Sequence, residues 1–143
     1  MTVAAILEGR QGIPPVTVPR GTRVREAVAL LSERKIGAVP VMDGAKVAGV
    51  MSERDVIHCL ARDGAGMLDW PVEKIMTSPA ITVEPSMTVL AALSLMTSRR
   101  IRHLPVLDGG QLVSVVSIGD LVKHRLDKIE AEAEAMLSYI QTA

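Results

Sequence analysis

The sequence predicts an α+β fold: two copies of a β-α-β-β-α unit packed about a pseudo-twofold axis, then a long C-terminal helix. Three observations carry this. Shifting the chain by 65 residues lays Thr17 on Thr82, Val24 on Val89, Pro40 on Pro105 and Asp43-Gly44 on Asp108-Gly109. Residues 16–60 and 81–125 share 14 identities in 45 ungapped positions, where average composition would give roughly three by chance. The second observation is helical periodicity. Val24, Ala27, Val28 and Leu31 recur at i, i+3, i+4, i+7, as do Val89, Ala92, Leu93 and Met96, the pattern of a helix with one buried face. The third is a pair of apolar runs flanking Asp-Gly, a strong short signal for a β-hairpin.

In chain order, Met1–Leu7 is a short apolar segment ended by GRQGIPP, whose glycines and prolines break any helix. Its counterpart before the second repeat is Val72–Met76, entered through Pro71 in a good first-turn position. Against TSPA at 77–80, GRQGIPP carries about four extra residues. Each repeat then has a short strand (Val16–Val18, Ile81–Val83), the amphipathic helix, the hairpin and a second helix opening at Ser52 or Ser117. Two strands alone are too few to be stable, so the copies must bury their apolar faces against each other and leave clefts between them. The boundaries that follow are 1–63 for the first repeat with its N-terminal helix, 64–71 for a linker, 72–126 for the second repeat and 127–143 for a helical extension.

Composition narrows the function. Lys plus Arg and Asp plus Glu both number 16, which argues against electrostatic capture of nucleic acid or anionic lipid. With one Trp, one Tyr and no Phe there is no platform for stacking single-stranded bases. An adenine-type ring would have to lie between aliphatic side chains. The single Cys59 excludes an internal disulfide and fits a reducing compartment. No apolar run has the length of a membrane span. The expectation is a cytoplasmic protein.

The chemistry-bearing residues gather at the two hairpins. Arg102 and His103 stand at the entrance of the second, Ser117 and Asp120 at its exit. Cations beside a hydroxyl and a carboxylate could hold the phosphate and ribose of one ligand. Ser-x-x-Asp at 52–55 and 117–120 is equally a helix-capping pattern, and free N–H groups at a helix start also favour anions. The first repeat has Gly37 and Ala38 where the second has Arg102 and His103, so Arg54 is its only local candidate for a phosphate contact. His58, Cys59 and His124 lack zinc-site spacing and an activating partner. A Ser117–His103–Asp120 triad has no oxyanion hole in view, and GAGMLD at 64–69 follows no strand, unlike a dinucleotide fingerprint. No catalytic residue and no metal ligand is expected.

Duplicated β-α-β-β-α units, each with I-x-x-[VL]-P-V, D-G and an S-x-x-D opening the last helix, resemble a tandem pair of cystathionine β-synthase (CBS) domains, or Bateman module. The resemblance covers about residues 1–126, and the chain is similar to stand-alone CBS pairs with no enzyme or transporter domain attached. It implies a non-enzymatic sensor whose clefts bind AMP, ADP or ATP, AMP foremost, as regulatory ligand, with no cofactor required. S-adenosylmethionine, NAD(H), an empty-cleft structural dimer and a nucleotide-processing enzyme are the alternatives. It further implies that Asp55 and Asp120 accept from ribose hydroxyls, that Ser52 and Ser117 face ribose or phosphate, and that Arg102 and His103, with Arg54 in the first repeat, meet phosphate. On this reading Arg102 and His103 serve the cleft of Asp120, which should prefer phosphorylated ligands. Val16, Ile36, Thr77, Ile81 and Ile101 complete the expected ligand-binding set. Ser114 departs from the family's usual glycine, present at Gly49.

The C-terminal tail also resembles that of some bacterial and plant-organelle members. Val122, Leu126, Ile129, Ala133, Met136 and Ile140 are spaced 4, 3, 4, 3, 4, a seam of the kind that packs helix on helix. It predicts a homodimer formed partly by this helix. A regulated protein is a further expected partner; nucleic acid and membrane are not.

Overall fold

The computed structural model describes residues 1–142, and both repeats fold on the expected plan. The first contains β1 (Val18–Pro19), α2 (Val24–Arg34), β2 (Ala38–Asp43), β3 (Lys46–Ser52) and α3 (Glu53–Asp63), preceded by α1 (Val3–Leu7). The second contains α4 (Val89–Arg99), β4 (His103–Asp108), β5 (Gln111–Ser117) and α5 (Ile118–Thr142). β2 pairs antiparallel with β3 and parallel with β1, while β4 pairs antiparallel with β5. The register slips between Val41 and Met42 and again between Val106 and Leu107. These are repeat-equivalent positions, so the duplication preserves the irregularity as well as the strands. Gly109 and Gly110 form the two-residue turn of the second hairpin with φ of 59° and 82°, the pair of positive values a type I′ turn demands.

The opening strands are shorter than the apolar pattern predicts. The first is confined to Val18–Pro19, because Pro14, Pro15 and Pro19 contribute no N–H to a ladder. Its counterpart is a single parallel bridge, Val83 to Val106. Val83 still makes both hydrogen bonds, accepting from the Leu107 N–H at 2.8 Å and donating to the Pro105 carbonyl at 3.0 Å.

Each helix buries the face its periodicity marks: Val24, Ala27 and Leu31 on α2, and Val89, Ala92 and Met96 on α4. Two cores result. One gathers Val39, Val41, Met51 and Cys59 under α2; the other gathers Leu104, Val106, Val116 and Leu121 under α4. The glycine-containing segment after α3 does not behave as a free linker. It forms a 3-10 turn over Ala65–Asp69 that drives Met67, fully buried, into the first core.

The two cores exchange their leading segments. α1, which precedes the first repeat, puts Val3 into the core of the second, with Ile6 and Leu7 beside it. Val72, which precedes the second repeat, enters the core of the first, with Ile75 and Met76. The backbone records the exchange twice. Val3 N–H donates to Met87 O and Val89 N–H to Met1 O, while Val24 N–H donates to Trp70 O and Val72 N–H to Thr22 O. This reciprocal swap is the pseudo-twofold relation in covalent form, and it decides which residues meet at each cleft.

Candidate functional site

At the start of α3, the Ser52 N–H donates to Asp55 Oδ2 at 2.9 Å and the Asp55 N–H donates to Ser52 Oγ at 3.3 Å. This is a complete capping box. The carboxylate therefore does structural duty through Oδ2. Its other oxygen, Oδ1, turns outward and accepts from Thr77 Oγ1 at 3.1 Å. Thr77 reaches it because the swapped segment runs along the edge of β3: Val50 N–H donates to Thr77 O at 3.0 Å and Thr77 N–H to Val50 O at 2.9 Å. That approach requires Gly49. A Cβ there would stand 2.7 Å from both Met76 Sδ and the Thr77 carbonyl oxygen.

Around Asp55 opens a cleft of about 490 Å³, within the usual size of small-ligand sites. Ser52, Arg54 and Asp55 come from the first repeat, and Thr77, Ala80 and Ile81 from the swapped segment. The end of α4 and the start of β4 add Arg99, Arg100, Ile101, Arg102 and His103. Val50, Ile57, Ile81 and Ile101 form apolar wall, while four arginines face one aspartate and one glutamate, Glu53. Arg54 spans the cleft and donates through Nη1 to the Arg100 carbonyl at 3.0 Å.

His103 lies between the repeats. A Cβ on Gly37 would come within 2.9 Å of its Cε1 and 3.0 Å of its Nε2. Gly37 thus leaves the space that the His103 imidazole fills. Burial holds the imidazole below its ordinary pKa, reinforced by Arg102 and opposed by the carboxylates of Glu53 and Asp120.

The second cap repeats the first, with Ser117 N–H donating to Asp120 Oδ2 at 2.8 Å and Asp120 N–H to Ser117 Oγ at 3.1 Å. Its outer partner differs. Arg10, from the longer loop GRQGIPP, sets Nη2 2.7 Å from Asp120 Oδ2. Its Nη1 donates to the Val115 carbonyl at 2.9 Å and to Ser114 Oγ at 3.4 Å. Burial would raise the Asp120 carboxyl, yet the Ser117 N–H and the Arg10 guanidinium outweigh it and hold the group below the usual aspartate range.

Of the residues expected to bind ligand, Ser52, Arg54, Asp55, Thr77, Ile81, Ile101, Arg102 and His103 line one cleft. Arg102 and His103, expected at the cleft of Asp120, line the cleft of Asp55. They keep a link to the second cap as well: His103 pairs opposite Ser117, Ile118 N–H donates to Arg102 O, and the Asp120 carboxylate acts on the His103 imidazole. The room left by Gly37 admits the His103 imidazole to the cleft of Asp55. Val16 and Ile36, the repeat equivalents of Ile81 and Ile101, pack against the first core instead. Sequence reading missed Arg10, Arg99 and Arg100 as site residues. The signal for Arg10 was the insertion itself, four residues present in one copy only.

Comparison with known proteins agrees with this fold. The CBS domain family matches residues 11–62 and 72–127, and the chain belongs to that family. A CBS-domain containing protein from Agrobacterium tumefaciens has a solved structure of the same fold, 36% identical, covering 87% of this chain and 99% of that one with a TM-score of 0.82. A CBS domain protein from Pyrobaculum aerophilum, solved in complex with AMP, is 30% identical, with 84% and 89% covered and a TM-score of 0.73. The mitochondrial CBS domain-containing protein CBSX3 of Arabidopsis thaliana is 34% identical over 82% of this chain; the match spans 60% of that protein's length. Among the described residues no helix is long and apolar enough to cross a membrane.

Proposed function

We propose that the protein is a regulatory module that binds an adenine nucleotide, AMP in first place, in the cleft of Asp55 and does not turn it over. The observation that carries this is the juxtaposition in one cleft of an outward carboxylate oxygen, an aliphatic slot and a cationic rim. Asp55 Oδ1 offers an acceptor for ribose hydroxyls, Ile81 and Ile101 offer apolar faces for a purine, and Arg99, Arg100 and Arg102 suit phosphate oxygens. Arginine binds phosphate through two charge-assisted hydrogen bonds. The AMP complex of the Pyrobaculum relative supports the same ligand class. Four arginines disfavour the sulfonium cation of S-adenosylmethionine, which makes that ligand the weaker reading. The exposed stripe of α5 and the free, buried Cys59 support a homodimer in a reducing compartment, the cytoplasm being our assignment.

Thermal-shift titration with AMP, ADP, ATP, NAD(H) and S-adenosylmethionine, with product analysis of each mixture, tests the reading. A ligand at a hundred times its dissociation constant stabilises by about 2.7 kcal/mol. Stabilisation by AMP without turnover supports it; no shift with any nucleotide, or conversion of one, removes it.

A further inference from the structure

The two clefts are built on the same scaffold but finished differently. In the first, Thr77 makes two contacts: its N–H on the Val50 carbonyl at 2.9 Å and its hydroxyl on Asp55 at 3.1 Å. In the second, Arg10 makes the corresponding pair with its side chain, on the Val115 carbonyl at 2.9 Å and on Asp120 at 2.7 Å, though it meets the capping oxygen Oδ2 where Thr77 meets Oδ1. Val115 is the repeat equivalent of Val50, and Asp120 of Asp55. The longer loop leaves the backbone too far off to bridge the strand, and a guanidinium crosses the gap. The same stand-off explains Ser114. Its counterpart Gly49 admits no Cβ, since Thr77 and Met76 press on it, whereas Ser114 has room for a hydroxyl that Arg10 contacts at 3.4 Å. The insertion, the serine and the arginine are three parts of one arrangement.

The electrostatic outcome is opposite in the two clefts. The partners of Asp55 are all neutral groups, Ser52 and Thr77, so its charge is free to draw a ribose. Asp120 is already matched by a guanidinium at ion-pair distance, with both side chains about 30% exposed. A ribose hydroxyl would also make a charge-assisted bond to this carboxylate, but it brings no charge of its own and so does not replace the ion pair that Arg10 already makes. Resting on the nucleotide reading above, we infer that Arg10 is an internal latch that neutralises, through Oδ2, the carboxylate on which a ribose would depend in the second cleft. The chain therefore takes one nucleotide, at Asp55, and Arg10 sets that stoichiometry.

Calorimetric titration with AMP tests this on the wild type, Arg10→Ala and Arg10→Gln, each checked for an intact thermal transition. The glutamine variant keeps a polar side chain but carries no charge, and so serves if the alanine variant is poorly folded. The expected result is one AMP per chain for the wild type and two for either variant. The new site should persist in Arg10→Ala/Asp55→Ala and vanish in Arg10→Ala/Asp120→Ala. Two AMP per wild-type chain, or one per chain in both Arg10 variants, overturns the latch and leaves the nucleotide reading standing. No binding to the wild type removes the nucleotide reading for the Asp55 cleft. In that case a site gained by the Arg10 variants retains the latch, and none gained removes it too.

Discussion

Asp55 carries two duties at once, and its two oxygens divide them. Oδ2 closes the capping box and Oδ1 faces the cleft. Asp55→Asn keeps an oxygen for the cap but loses the charge, so it should fold nearly as well as wild type while AMP affinity falls. Loss of a charged hydrogen-bond acceptor is worth about 1.5–3 kcal/mol, a drop of at least tenfold by titration; unchanged affinity would reduce Asp55 to a helix cap. His103 imposes a pH dependence whose sign follows from its surroundings. Burial lowers its pKa, so below the ordinary value of about 6.5 the unfolded chain binds the proton that the folded chain refuses. Stability is then full above that value and declines as pH falls through it. The slope between pH 6.5 and the lowered native pKa should flatten in His103→Gln, as denaturant melts across that range will show. Gly37 belongs to the same contact. Gly37→Ala pushes a methyl to within 3 Å of the imidazole, an overpacking of the kind that costs about 1–3 kcal/mol. His103→Ala in the same chain should restore most of the loss, and a double-mutant cycle with no coupling would contradict the contact.

At the scale of the element, helices α2 and α4 end alike. Lys35 and Arg100 occupy the left-handed region with φ of 53° and 55°. The residue after each closes the turn, Ile36 N–H on Leu31 O and Ile101 N–H on Met96 O, as in a Schellman ending. Glycine is the usual occupant, and any other residue there stores roughly 1 kcal/mol. At residue 100 the strain has a use, since it directs an arginine to the cleft and offers its carbonyl to Arg54. Arg100→Gly should raise the melting temperature and weaken AMP binding together, while Lys35→Gly should raise it with binding intact; parallel melts and titrations read both. The elements themselves were legible from sequence because each rests on a local pattern, whether the period of α2 and α4, the Asp-Gly turn or the Ser-x-x-Asp cap. The grouping of α1 with the first repeat was not, since nothing local in Met1–Leu7 tells which core will receive Val3. The same holds for the site. Asp55, Arg54, Thr77 and Ile81 could be nominated by motif, but the place of His103 in that cleft depends on the void at Gly37. The Arg10–Asp120 pair joins residues 110 apart in the chain and follows only from the swap.

The whole molecule leaves one large apolar surface unaccounted for. α5 runs 25 residues, Ile118–Thr142, about 37 Å at the standard rise. Only its first turns are held: Leu121 is fully buried in the second core, and the helix packs there against α4, α1 and β5. Beyond them the stripe emerges bare. Leu126, Ile129, Met136 and Ile140 are 46–63% exposed, with Tyr139 at 71% beside them. The single ion pair along this stretch among the described residues, Lys128 with Glu132 at 3.9 Å, is an intrahelical i,i+4 pair worth a few tenths of a kcal/mol. So long a projection is marginal as an isolated helix in water, and a repeat of 4 and 3 fits the groove of another helix. A second copy of the chain supplies such a groove with the same spacing. Deleting residues 128–143 removes the bare stripe but spares Leu121, both cores and both caps. Sedimentation over a dilution series should show the truncated protein dissociating at concentrations where the full chain stays paired. Its melting transition at high dilution should match that of the full-length monomer, since no core residue is lost. Equal dimerisation of the two forms would place the subunit contact elsewhere and make α5 a surface for a different partner.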